Sequence, residues 1–186
     1  MTRKVILAGL AGGIVLTLWT FVFNGVFGFR NRIDMKQVPN ERQVYELLKE
    51  NVASPGRYLC NPELTAAGAF PDGEPAFGIL YGGVGHEAAG RYSLVQLLLA
   101  FGASLAGAWL LSCSSRRVMA RYSRRVLFFS GIGVLVALFS DLGDVGIGAY
   151  PASDALLLAA HTVAVWTAMG LAVAWRMKPA PAASPE

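Results

Sequence analysis

The sequence predicts an all-α transmembrane four-helix bundle with a small α+β extracytoplasmic insertion between helices one and two. Three observations predict it. Of the 186 residues, 54% are apolar and only 15% charged, where soluble domains carry about 25% charged residues. Four apolar runs are long enough to cross a bilayer. The basic residues gather beside those runs, nine of the sixteen lying in three short patches. Such a distribution signals topology and argues against nucleic acid as a partner, although the net charge of +4 would by itself suit one.

A spanning helix needs about 20 mostly apolar residues, because each adds about 1.5 Å across a hydrocarbon core of about 30 Å. The first run extends from Val5 to Phe29 without a charge. It is too long for a signal-peptide core, and Asn24-Gly25-Val26-Phe27-Gly28 offers no small-x-small cleavage site, so it reads as an uncleaved span. The second runs from Ser93 to Cys113. The third begins at Val126, stays apolar to Ser140, and reaches full length with Leu142 to Ile147, interrupted by Asp141 and Asp144. The fourth runs from Ala155 to Trp175.

Orientation follows from lysine and arginine near the span ends. Arg3 and Lys4 precede the first span, five arginines between 116 and 125 join the second to the third with no acid, and Arg176 and Lys178 follow the fourth. The connection between the third and fourth holds Asp141, Asp144 and Asp154 and no base. Both termini are therefore expected in the cytoplasm of a bacterial inner-membrane protein, with residues 30–92 outside. Trp109 and Trp175 at the inner ends, and Tyr92 and Tyr150 at the outer ends, agree with aromatic anchoring at the two interfaces. The chain divides into a cytoplasmic N-terminus with the first span (1–29), the extracytoplasmic domain (30–92), spans two to four (93–176) and a disordered cytoplasmic tail (177–186).

In the extracytoplasmic domain, Asn40 is expected to cap a helix with Gln43 as its capping-box partner. Val44, Leu47, Leu48 and Val52 recur at helical spacing and predict an amphipathic helix of about three turns. Ser54-Pro55-Gly56 ends it in a turn; Arg57–Cys60 and Ala76–Tyr81 read as strands. Sixty-three residues bury little core alone, so this domain should lie on a membrane surface or on a partner.

Helices in lipid associate through small residues. Gly9 with Gly13, Gly102 with Ala106, Ala103 with Gly107, and the series Ala160, Ala164, Ala168, Ala172 supply such faces. Gly9, Gly13, Gly102 and Ala106, with Val44, Leu47 and Leu48 outside, are the candidate partner-docking residues. Cys60 and Cys113 fall on opposite sides of the membrane, which rules out a disulfide between them. Each reads as a small buried or interfacial residue rather than a reactive thiol.

Few residues carry chemistry. His86-Glu87-Ala88-Ala89-Gly90 begins like a zinc-protease motif but lacks the second histidine, leaving His86 as an exposed loop residue and no metal site. No long strand–turn–helix unit is expected to frame Gly82-Gly83-Val84-Gly85 as a nucleotide loop requires, and the segment falls on the wrong side for cytosolic nucleotides. His161 is different. It lies seven residues beyond Asp154, hence about 10 Å below the outer boundary, and Asp141 lies sixteen residues beyond Arg125, at about 24 Å up the third span. The two could meet between consecutive antiparallel helices. Intramembrane ionisable groups mark proton, ion or ligand pathways by default; here a structural hydrogen bond from His161 to Asp141 or Thr17 is the plainer reading. Asn24 should bond between helices. No cofactor is expected, although a haem or chlorin held by His161 alone is left open; Leu157 stands where such pigments usually require a small residue.

The run Pro39-Asn40-Glu41, a short helix, Ser54-Pro55-Gly56-x-Tyr58 and an apolar Gly-Ile-Leu strand resembles a group of uncharacterised bacterial four-span membrane proteins. That resemblance implies the same topology and no assigned activity. The functional expectation is a non-catalytic accessory or structural subunit of a larger membrane complex, of the respiratory or photosynthetic kind, with membrane lipids and other membrane subunits as partners. The alternative is a small carrier, channel or ligand-binding protein using Asp141 and His161. A membrane enzyme relying on His86, Glu87 and Asp144 is the least supported.

Overall fold

The computed structural model describes residues 2–34, 36–62, 73–145 and 150–178. It is mostly helical, with one two-stranded sheet. Four helical stretches are long and apolar enough to cross a membrane: Arg3–Val26, Ala89–Ser112, Tyr122–Asp141 and Ala152–Arg176.

Helix α1 (Arg3–Thr20) runs directly into a π-helical turn, Phe21–Val26. Gly28, at φ +61°, then reverses the chain, a conformation open to glycine because it has no Cβ. The short helix α2 (Phe29–Asp34) follows, so the first span stops at Val26, ahead of the expected Phe29. Helix α3 (Glu41–Asn51) is the expected amphipathic helix, but its cap differs. Asn40 is left-handed (φ 58°, ψ 38°), and its side chain makes no capping bond. Its carbonyl instead accepts from the Gln43 and Val44 amides at 3.0 and 3.3 Å.

Strands β1 (Gly56–Cys60) and β2 (Phe77–Tyr81) pair antiparallel, Gly56 facing Tyr81 and Cys60 facing Phe77. The turn between α3 and β1 is fixed by Tyr58, whose hydroxyl donates to the Ser54 carbonyl at 2.6 Å. This gives the Ser-Pro-Gly-x-Tyr run a physical role.

Helix α4 (Gly85–Ser112) starts eight residues before the expected Ser93. Glu87 in its first turn suits the positive end of the helix dipole and sits 4.0 Å from Arg91, one turn on, so polar residues extend the helix here. His86 and Glu87 thus belong to a helix, not to a loop. A four-residue helix, α5 (Arg116–Met119), is capped by the Ser115 hydroxyl and leads into α6 (Tyr122–Val136), which ends in a second π-helical turn, Ala137–Asp141. Leu142–Asp144 form a turn, so the third span does not extend to residue 147; residues 146 and 147 lie outside the described part. Helix α7 (Ala152–Arg176) completes the set. Of the expected disordered tail, only residues 177 and 178 are described, and Met177 is buried.

The helices pack in the order α4–α1–α7–α6, with α4 touching α6 and α7 only slightly. The core lies at the end that carries the arginines: Val5, Ala8 and Leu16 of α1, Leu111 of α4, Phe129 of α6, and Met169 and Val173 of α7. Glycines set the spacing. A Cβ at Gly12 would strike the Ser104 hydroxyl and stand 2.7 Å from Val173 Cγ2; one at Gly170 would stand 2.6 Å from Phe129 Cβ. Toward the hairpin end α4 leaves the bundle, and every side chain described from Gly85 to Leu99 is exposed.

The expected small-residue faces divide accordingly. Gly9 and Gly13 are used inside the molecule, against Leu105 and Phe101, so they are not free for a partner. Gly102 faces open space and Ala106 is exposed. The α7 series 160, 164, 168, 172 is not its buried face; Ala155, Leu158, Ala159, Met169, Gly170, Val173 and Ala174 are.

Candidate functional site around His161

Helix α7 is flanked by α1 and α6, so side chains at its middle are enclosed from two sides. His161 sits there, half-buried. Trp19 Nε1–H of α1 donates to His161 Nε2 at 3.0 Å. That bond needs a free lone pair on Nε2 and so places the neutral imidazole's proton on Nδ1. Phe29 stacks on the imidazole with centroids 4.6 Å apart and planes at 21°, and Phe23 meets it edge-on at 5.7 Å. Trp19 and Phe23 stack on each other at 4.2 Å.

The partner expected for His161 was Asp141 or Thr17, and the structure gives neither. Thr17 donates to the Gly13 carbonyl at 2.9 Å, the local back-bond of a helical threonine. Asp141 is near enough for its charge to act on the imidazole, as is Arg30, but it makes no hydrogen bond to it. Asp141 ends the π-helical turn of α6, and its Oδ2 is buried without a hydrogen-bond partner; Asn24 Oδ1, on the π-helical turn of α1, is buried in the same state. Both π-helical turns therefore present a polar side chain on a helix that packs against α7. Wide turns of this kind recur at functional sites.

Above this level lies a cavity of about 630 Å³ between α2, the hairpin, the turn after α6 and the start of α7; its walls include Asp34, Lys36, Asp144, Tyr150 and Asp154. Tyr150 donates to Asp34 Oδ1 at 2.8 Å, and Lys36 pairs with Asp154 at 2.5 Å. Burial, then the hydrogen bond and charge of Asp34, raise the Tyr150 phenol above its ordinary pKa against an opposing pull from Arg30.

For a haem or chlorin at His161, ligation through Nε2 would require Trp19 to give up its bond, which occupies that lone pair. Among the described residues, no three His, Cys, Asp or Glu side chains come together as a metal site. Cys60 and Cys113 are both free and exposed, not buried. In α3, Val44 and Leu47 are exposed and Leu48 half-buried.

Sequence reasoning found His161, Asp141 and Asn24 but missed Trp19, Phe29 and Arg30. An indole in apolar surroundings must find an acceptor, but which acceptor Trp19 meets is set by the packing of α1 against α7. The position of Phe29 depends on the chain reversal at Gly28, which hydropathy does not reveal.

The helices and this polar level define the class: a helical protein with four membrane-length apolar helices, which support a multi-pass membrane protein. No family model, no curated protein and no solved structure matches the chain.

Proposed function

We propose that the chain is a multi-pass protein of a bacterial inner membrane, with both termini and the arginine end in the cytoplasm and residues 30–92 outside. In that setting it serves as a non-catalytic accessory or structural subunit of a larger membrane complex. One observation carries this reading: α3 is amphipathic yet buries no residue, leaving Val44 37% and Leu47 62% exposed. An apolar helix face outside the apolar spans calls for a cover. The open Gly102–Ala106 face of α4 would extend the same contact into the bilayer. The test is native mass analysis after mild-detergent purification. A defined co-purifying subunit, lost in a V44D/L47D variant that still folds, is expected; a lone monomer contradicts the reading.

A second reading, a small carrier, channel or ligand-binding protein, is favoured by the buried Asp141 oxygen that has no partner. A buried polar atom without a partner costs about 1–3 kcal/mol, so an absent donor or cation is a physical way to satisfy it. Replacing Asp141 by Asn separates the cases. Changed uptake or binding at unchanged stability supports the ligand role; changed stability alone sinks it.

A further inference from the structure

The two ends of the bundle handle charge differently. The three ion pairs found among the described residues, Arg30–Asp34, Lys36–Asp154 and Arg91–Glu87, all lie at the hairpin end. The opposite end has, among its described residues, no carboxylate at all. Arg125 is the exception to its exposure: it is 4% exposed, and it donates to the carbonyls of Ala174 at 3.2 Å and Met119 at 2.5 Å. Those carbonyls lie at the ends of α7 and α5, so Arg125 neutralises helix termini, and its guanidinium also lies 5.9 Å from the Tyr122 ring centroid.

Arg117 and Arg121 are exposed, and Arg124 is half-buried with Nη1 engaged. Arg124 Nη1 holds the Arg117 carbonyl at 3.0 Å, which sets α5 against the start of α6. Through Arg125 and the bond from the Tyr122 hydroxyl to the Leu171 carbonyl, this corner is tied to the end of α7, where Arg176 lies over Trp175 at 5.0 Å. Apolar surface begins directly beside the cations: Leu127 is 67%, Leu171 47% and Trp175 58% exposed. A ligand matching both halves has an anionic head and an apolar tail.

We infer that this corner binds the phosphate headgroups of anionic phospholipids, with Arg117, Arg121 and Arg124 on the phosphate and Leu127 and Leu171 along the acyl chains. Basic residues beside apolar helices attract anionic lipid, each cation adding roughly a fivefold preference near the surface. Arg125 stays outside the ligand set because it is buried, with Nε and Nη1 on carbonyls.

The inference rests on the chain lying in a bilayer, and carbonate extraction of membranes tests that separately. For the lipid itself, the full-length protein in neutral detergent receives equimolar phosphatidylglycerol and phosphatidylcholine and is analysed by native mass spectrometry. Retention of phosphatidylglycerol at least about fivefold above phosphatidylcholine is expected, with parity in R117Q/R121Q/R124Q and no competition from equimolar inorganic phosphate. If the triple variant fails to fold, R117Q/R121Q, which leaves the Arg124 bond intact, is expected to lower the preference severalfold. Equal retention of the two lipids by the wild type overturns the inference. So does a preference that survives the substitutions, or displacement by inorganic phosphate, which would identify the free ion as the ligand.

Discussion

At the arginine end the helices pack around a common buried core; at the hairpin end α4 leaves and the two helices flanking α7 widen into π-helical turns. Glycine explains the first. Gly9, Gly12 and Gly13 let α1 approach α4 and α7 until a single added carbon would collide, and Gly107, Gly133 and Gly170 do the same around Phe129 and Trp166. Close approach in lipid is stabilised by van der Waals contact, so this end is where the fold is held. The hairpin end holds the described ion pairs and two buried acceptors without donors, Asn24 Oδ1 and Asp141 Oδ2, while at the arginine end the Ser104 hydroxyl is buried without a partner. One end is spaced by glycines, and the other gathers the ion pairs and the buried Asp141 carboxylate.

Gly12→Leu should give the largest effect. It forces side chains into Ser104, Val173 and Met169, and overpacking of this kind costs about 1–3 kcal/mol or more. Leu98→Ala, on the exposed part of α4, should stay within about 0.5 kcal/mol. Thermal unfolding in one detergent compares them, and equal losses would dissolve the contrast between the ends.

Arg125→Gln comes next. It takes the charged donor from two carbonyls, one of those bonds only part-buried, a total loss of about 1.5–3 kcal/mol. Lys36→Ala breaks an exposed pair at the other end and should cost at most about 1 kcal/mol. Trp19→Phe keeps the aromatic stack and removes the donor to His161, with an expected loss of about 1 kcal/mol. A loss near zero would mean that His161 finds another partner.

The smallest effect concerns pH. The Tyr150 phenol is raised in the folded protein, so its contribution to stability is fully present below the unfolded pKa and fades as pH rises through the folded one. Phenolate absorbance, with Y150F subtracted, should show titration above that of free tyrosine. Asp34→Asn should move it part of the way back, since burial, the larger cause, remains.

Much of the fold was legible in the residues because hydropathy and helical spacing are local properties. The four apolar runs, the α3 pattern from Val44 to Val52 and both strands appear where those signals put them. Boundaries were less legible. The start of α4 at Gly85 depends on Glu87 and Arg91 supporting a polar first turn, and the end of α6 depends on a π-helical turn that leaves no periodic trace. The site was half legible: an intramembrane histidine announces itself, but its partner is set by how α1 rotates against α7. Spacing along α6 pointed to Asp141, and the Trp19 indole was reached only through packing.

The proposed orientation puts the arginine-bearing end on the cytoplasmic side of the membrane and the ion-paired end outside. Cys60 on β1 and Cys113 at the end of α4 are both exposed and lie at the two opposite ends. Labelling intact cells with a membrane-impermeant maleimide, and reading each peptide by mass, should modify Cys60 alone, with Cys113 reacting only after the membrane is opened. Modification of both cysteines in intact cells, or of Cys113 alone, would contradict it.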